Sequence, residues 1–148
     1  MLFIKMIRNI RLIFWGIIIL SFHQTTAQNT LLKLKVSNIK EPNGKLVVAL
    51  YDKKDNFLKK GYEFKKLIYN VDSEAMTFKI EGLPIRAYSI AIFHDKNADG
   101  DCNRNFLGVP IEGYGFSNNI KPIFSAPKFD QTKFELEYAK QLHIKLIH

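Results

Sequence analysis

Arg86-Ala87-Tyr88-Ser89-Ile90-Ala91-Ile92-Phe93-His94-Asp95-Lys96-Asn97-Ala98-Asp99-Gly100-Asp101-Cys102-Asn103-Arg104-Asn105 is the stretch on which the fold turns. Its first part, Arg86 to Phe93, is rich in β-branched and aromatic residues and reads as a strand. The rest sets oxygen-bearing side chains at alternate positions around one glycine. Asp95, Asn97 and Asp99 take positions 1, 3 and 5 of a calcium loop, and Gly100 takes position 6, where the chain must turn sharply. Two features depart from the helix-loop-helix calcium hand. A strand enters the loop where a helix would, and Phe106 stands at position 12 in place of the closing glutamate. The expectation is a strand-loop calcium site in a β protein. Asp101 and Asn103 are candidates for further oxygens, directly or through water, and Glu112 is the nearest carboxylate able to replace the missing closing ligand. The competing reading is an Asx-rich surface turn, which Asp, Asn and Gly favour for backbone reasons alone.

Outward from this stretch, short apolar and β-favouring runs recur at Leu32 to Ile39, Leu46 to Tyr51, Met76 to Ile80 and Leu142 to Ile147. Leu32, Leu34 and Val36 alternate with Lys33, Lys35 and Ser37, the pattern of a strand with one buried and one wet face. Leu46 to Leu50 and Ile90 to Phe93 are apolar on both faces, which predicts central strands. Glu41-Pro42-Asn43-Gly44 predicts a hairpin between the first two strands, and Gly82-Leu83-Pro84 precedes the strand that feeds the loop. Asp55 to Asn70 fits neither period and reads as a short helix or an irregular crossover. No helical stretch is long enough for an α/β fold, and short strands broken by turns at these intervals predict one all-β domain, a β-sandwich of about seven strands.

The N-terminus predicts a compartment. Lys5, Arg8 and Arg11 precede an apolar run from Leu12 to Phe22, and Thr25-Thr26-Ala27 offers small residues for cleavage before Gln28. This is the pattern of a secretory signal peptide over residues 1–27, with residues 28–148 as the exported periplasmic or extracellular domain. The uninterrupted apolar run is shorter than the roughly 20 residues that span a bilayer, so no transmembrane segment is expected after cleavage; retention as an uncleaved membrane anchor is the alternative. Three of the 22 Lys plus Arg and none of the 14 Asp plus Glu lie in residues 1–27, leaving 19 against 14 and a net charge of +5. A basic exported domain can attract anionic polysaccharide or a cell-envelope partner. Lys53-Lys54, Lys59-Lys60 and Lys65-Lys66, interleaved with Phe57, Tyr62 and Phe64, are either a cradle for a polyanion or lysines that blunt an edge strand. No nucleic-acid recognition motif is present, and none is expected in an exported protein.

Cys102 is the single cysteine and is expected to remain a thiol, packed as a small hydrophobe at position 8 of the loop; pairing between chains is the alternative. Phe106 to Asn119 holds three glycines and a proline, a segment neither strand nor helix would choose. In one reading Gly108, Gly113 and Gly115 fold it onto the calcium loop, Tyr114 and Phe116 pack inward, and Glu112 completes or orients the metal site. In the other, Tyr114, Phe116, Ser117, Asn118 and Asn119 form a binding platform whose aromatics and amides suit sugar rings, giving a calcium-dependent carbohydrate-binding or carbohydrate-active protein. His94, Asp95, Glu112 and Tyr114 share a window that could supply an acid and a base, but no nucleophile elbow, zinc-protease helix or phosphate loop occurs, and a non-catalytic binding or structural module is expected. His94 alternates with Tyr88, Ile90 and Ile92 and is expected to be a hydrogen-bonded residue at the core margin.

A strand ending in His94-Asp95 is followed by Asn97, Asp99, Gly100 and Asn105, then by Leu107-Gly108-Val109-Pro110 and Glu112-Gly113-Tyr114-Gly115-Phe116-Ser117-Asn118. With Gly44 to Asp52 in front and Ala126-Pro127-Lys128-Phe129 behind, this pattern resembles the domain of unknown function 2141 family of exported bacterial proteins, over nearly all of the mature chain. The resemblance implies an exported β-sandwich of immunoglobulin-like or prealbumin-like type with no established biochemical activity. Asn103 stands where that family usually has Asp, and Cys102 where it usually has a larger aliphatic residue. The loss of one formal charge at Asn103 implies a weaker calcium site, although an amide still offers a carbonyl oxygen.

Overall fold

The alternation of Leu32, Leu34 and Val36 with lysines is realised as β1 (Leu31–Ser37), whose apolar positions are fully buried while Lys33 and Lys35 face solvent. The computed structural model describes residues 30–148, so the expected signal peptide at 1–27 lies outside the described residues. β1 lies between β4 (Ala75–Glu81), antiparallel to it, and β8 (Ala139–Lys145), parallel to it, and the three form one sheet. The second sheet runs β3 (Lys65–Asn70), β2 (Lys45–Tyr51), β5 (Arg86–Asp95), β6 (Tyr114–Phe116), and β7 (Phe134–Leu136) pairs with the start of β5. A single short helix, α1 (Phe129–Thr132), and two one-turn 3-10 segments complete the described elements.

Over the described residues the chain is therefore all-β and sandwich-like, with eight strands in two sheets rather than about seven. The extra strands are the segments whose periodicity was weakest. Residues 65–70 of the ambiguous stretch become the edge strand β3, and β6 and β7 are three residues each, too short to show a period. β8 begins three residues before the expected run and ends at Lys145.

The expected hairpin between the first two strands does not form. β1 and β2 belong to different sheets, and Glu41–Gly44 carries the chain from one to the other. The turn chemistry is present, with Asn43 N–H donating to Glu41 O at 2.8 Å and Gly44 at φ 69°. Its carbonyls, however, are claimed by the second sheet: His94 Nε2 donates to Asn43 O at 2.6 Å, and Val71 N–H donates to Gly44 O at 3.1 Å. A Cβ at Gly44 would also lie 2.8 Å from Lys96 Cα, so only glycine lets this turn pass so close to the base of the loop.

The core fills the space between the sheets. Leu32, Leu34, Val36, Phe78, Ile80 and Ile144 from the first sheet meet Leu46, Val48, Leu50, Tyr88, Ile90 and Ile92 from the second. Tyr69 stacks on Phe78 across the interface with centroids 3.9 Å apart. β2 and β5 were expected to be apolar on both faces, and they are, for two different reasons. Their inner face packs in the core. On the outer face Ala49 and Tyr51 join Phe57, Ala91 and Phe129 in a second, smaller cluster beneath α1 and the connecting loops.

Candidate functional site

Asp95 ends β5 and is almost fully buried, so its carboxylate must find donors within the protein. It finds them in the loop's own backbone: Asp99 N–H donates to Oδ1 at 3.1 Å and Gly100 N–H to Oδ2 at 2.9 Å. Glu112, also buried, reaches back from the glycine-rich segment and closes the loop at both ends, accepting from Lys96 N–H and from Asn103 N–H, each at 3.1 Å. The sequence singled out Glu112 as a closing carboxylate, and the structure brings it to the loop.

Asp99 is exposed and collects the loop's two amides. Asn97 Nδ2 donates to its Oδ2 at 2.8 Å, Asn103 Nδ2 to the same oxygen at 3.1 Å, and Asp101 N–H to Oδ1 at 2.8 Å. The Asp101 backbone bond and these amides hold the Asp99 carboxyl below its ordinary range. With its nitrogen so engaged, Asn103 Oδ1 is buried without a hydrogen-bond partner. Turning either amide over would point its oxygen at the Asp99 carboxylate, an arrangement that needs a cation between them. These are hard oxygen donors of the kind calcium takes, so the residues present fit that ion. Among the described residues no group of three or more His, Cys, Asp or Glu side chains gathers as a metal cluster, and what meets here is one carboxylate and two amides that turn their nitrogens to it. Asp101 turns outward and pairs with Lys60.

His94 is fully buried, as a core-margin residue bound to the Asn43 carbonyl, and its Nδ1 has no partner. Cys102 is a free thiol, half-buried, and burial pushes its pKa up while the nearby Arg104 opposes the shift. A thiol in that state is a poor nucleophile at neutral pH.

The glycine-rich segment divides in two. Asn105 Oδ1 accepts from Leu107 N–H and Val109 N–H, both at 3.0 Å, and so stiffens a tight loop that leaves Phe106, Leu107, Val109 and Ile111 exposed. Beyond it, Gly115 passes directly over β8, where a Cβ would come 2.8 Å from Ile144 Cγ2. Ser117 is fully buried; its hydroxyl accepts from Ile90 N–H at 3.0 Å and donates to Thr132 O at 2.5 Å. Asn118 Nδ2 donates to Gln131 O and Lys133 O at 3.2 and 3.0 Å, and Asn119 Nδ2 to His143 O at 2.8 Å. These polar side chains staple strands and α1 together.

Tyr114 and Phe116 point the other way, into a cavity of ≈ 580 Å³ on the outer face of the five-stranded sheet. Val47, Ala49, Ala91 and Phe93 form its floor, and the loops around residues 102–110 and 122–126 form its walls. Tyr51 also lines it, and burial together with the neighbouring Glu63 charge pushes its phenol up to about 12. Periodicity announced the apolar outer face of β2 and β5, but not that distant loops would arch over it.

A family model described as an uncharacterized protein conserved in bacteria, DUF2141, matches residues 34–144. No curated protein and no solved structure matches. Among the described residues no helix is long and apolar enough to cross a membrane.

Proposed function

This chain belongs to the DUF2141 family of uncharacterized bacterial proteins, and from that premise we propose that it is an exported, non-catalytic β-sandwich module stabilised by one calcium ion in the loop after β5. Asn97, Asp99 and Asn103 would hold the ion, with Asp95 and Glu112 shaping the loop or completing the ligand set. The ion would supply the positive charge that lets three oxygen-bearing groups face one another. The observation that carries the reading is the Asn103 amide, whose nitrogen lies against the Asp99 carboxylate while its Oδ1 is buried without a partner. Bound calcium would fasten β5 to the glycine-rich segment. Millimolar calcium outside the cell suits a site with few formal charges.

The test is thermal unfolding in chelator and across a calcium titration, with Asp99→Ala alongside. Asp99 is exposed and outside the core, so this variant is expected to fold without the metal. A ligand that binds only the folded state adds about 2.7 kcal/mol at a hundredfold excess over Kd, which for a domain of this size raises Tm by roughly 10 °C. The expected outcome is such a rise in the parent and none in Asp99→Ala. Superimposable curves in chelator and in millimolar calcium would reduce the loop to an Asx-rich turn.

A further inference from the structure

The two sheets treat their outer faces differently. The outer face of the three-stranded sheet is polar, bearing Lys33, Lys35, Lys79 and Lys145. That of the five-stranded sheet is apolar and is roofed by loops that leave the ≈ 580 Å³ cavity between themselves and the strands. A void of this size falls within the roughly 300 to 1,000 Å³ of small-molecule sites, and its lining follows their pattern of an apolar bed with a few polar groups. At the mouth the walls carry Ile123, Phe124 and Leu107, all highly exposed, with Phe124 at 100 %. Such side chains are costly to leave in water and gain by meeting an apolar ligand.

The charges that line the cavity are Lys60, Lys66, Arg104, Asp101 and Glu63. Lys60 is paired with Asp101, and Glu63 accepts a hydrogen bond from Gly61 N–H at 2.9 Å. Lys66 and Arg104 form no ion pair among the described residues. The lining is therefore apolar beneath and carries one net positive charge, with two cations left to meet a ligand.

We propose that this cavity binds a single-chain anionic amphiphile, with the apolar chain on the floor formed by Val47, Ala49, Ala91 and Phe93 and the carboxylate or phosphate head at Lys66 and Arg104. The site is independent of calcium occupancy. Gly100, Asp101 and Cys102 contribute to a wall, Asp101 through its pair with Lys60, but Asp95, Asn97 and Asp99 do not line it. A carboxylate head would come from a free fatty acid and a phosphate head from a membrane lipid; both share the chain and the negative charge.

The experiment is calorimetric titration of the purified chain, in chelator, with dodecanoate below its micelle concentration, and with dodecan-1-ol and dodecyltrimethylammonium as neutral and cationic counterparts. Dodecyl phosphate stands for the lipid head. We expect one-to-one binding of dodecanoate, dodecyl phosphate or both, with the tighter of the two naming the source, and at least about tenfold weaker binding of the cationic chain. Ala91→Trp fills the cavity from the floor and Ala126→Trp from an exposed wall position; each should weaken binding at least about tenfold. If Ala91→Trp does not fold, Ala126→Trp decides. Lys66→Glu with Arg104→Glu should weaken the anions by about tenfold and leave the alcohol within about twofold. The proposal falls if neither anion binds, if the alcohol or the cationic chain binds as tightly as the anions, or if the filled variants bind like the parent. It also falls if the chain floats with phosphatidylglycerol vesicles yet takes up no monomeric amphiphile, which would make the exposed loops a membrane-docking surface.

Discussion

Glu112 shows how one side chain can organise a segment that has no regular structure. Its two oxygens accept from backbone N–H groups at Lys96 and Asn103, seven residues apart, and it does so from a position 6 % exposed. Removing the acceptor strands both donors, and an unsatisfied buried group costs about 1 to 3 kcal/mol. Glu112→Ala is therefore expected to lower stability by about 2 to 4 kcal/mol in urea unfolding without metal, and Glu112→Gln, which keeps one acceptor oxygen, by less. Asp99 answers a different question, through pH. Its folded pKa is depressed below 3.8, chiefly by the Asp101 backbone N–H and then by the Asn97 and Asn103 amides. A depressed carboxylate contributes stability above its unfolded pKa and loses it as pH falls through the folded value. The loop should thus keep its hydrogen bonds at pH 5 and lose the Asp99 contribution below 3.8. Titration of the Asp99 carboxyl carbon by NMR should report a midpoint below that of an unstructured aspartate; a midpoint at or above it would show that the amides do not gather on this carboxylate.

At the scale of elements, the pairing of β1 with β4 sets Lys33 directly opposite Lys79 on the wet face of the three-stranded sheet. Like charges directly opposite each other in an antiparallel pair are unfavourable, and an opposite-charge pair is worth about 0.2 to 1 kcal/mol. Lys33→Glu is expected to raise stability by about 0.5 kcal/mol, the gain shrinking in high salt. Thermal melts at low and high ionic strength check both parts, and a salt-independent change would place its origin elsewhere. The same sheet shows why a turn motif alone does not make a hairpin. Glu41–Gly44 has hairpin composition, yet β1 takes β4 and β8 as partners, because its buried face must meet the face that β2 and β5 present across the core. The turn becomes a corner between sheets, locked there by the His94 bond to Asn43.

Across the whole molecule, the two sheets differ in how many faces they protect. β2 and β5 are covered on both sides, by the main core and by the outer cluster of Ala49, Tyr51, Phe57, Ala91 and Phe129. β3 lies at the sheet edge with alternate residues exposed. Backbone amides in doubly covered strands open only in global unfolding, whereas edge strands open locally. Hydrogen exchange should therefore find Val48 and Ile90 exchanging with the full unfolding free energy and Ile68 exchanging faster. Equal protection of all three would mean that the outer cluster and its loops add no local stability.

Much of the molecule is legible in its residues alone. Local alternation needs only the chain's own period to be legible, and it announced the strands that bury one face or two and the β class. The loop after β5 spans few residues, so its own backbone N–H groups reach the Asp95 carboxylate and its amide nitrogens reach Asp99. Long-range packing settled the rest. It put β1 and β2 in different sheets, made an edge strand of Lys65–Asn70, and sent the Ser117 hydroxyl to Ile90 and Thr132. It also raised the loops near residues 102–110 and 122–126 over the outer sheet to leave a cavity. None of these has a local period. Each depends on which distant apolar face or unsatisfied polar group the segment meets once the chain has collapsed, and that choice is made by packing among elements rather than by the residues within any one of them.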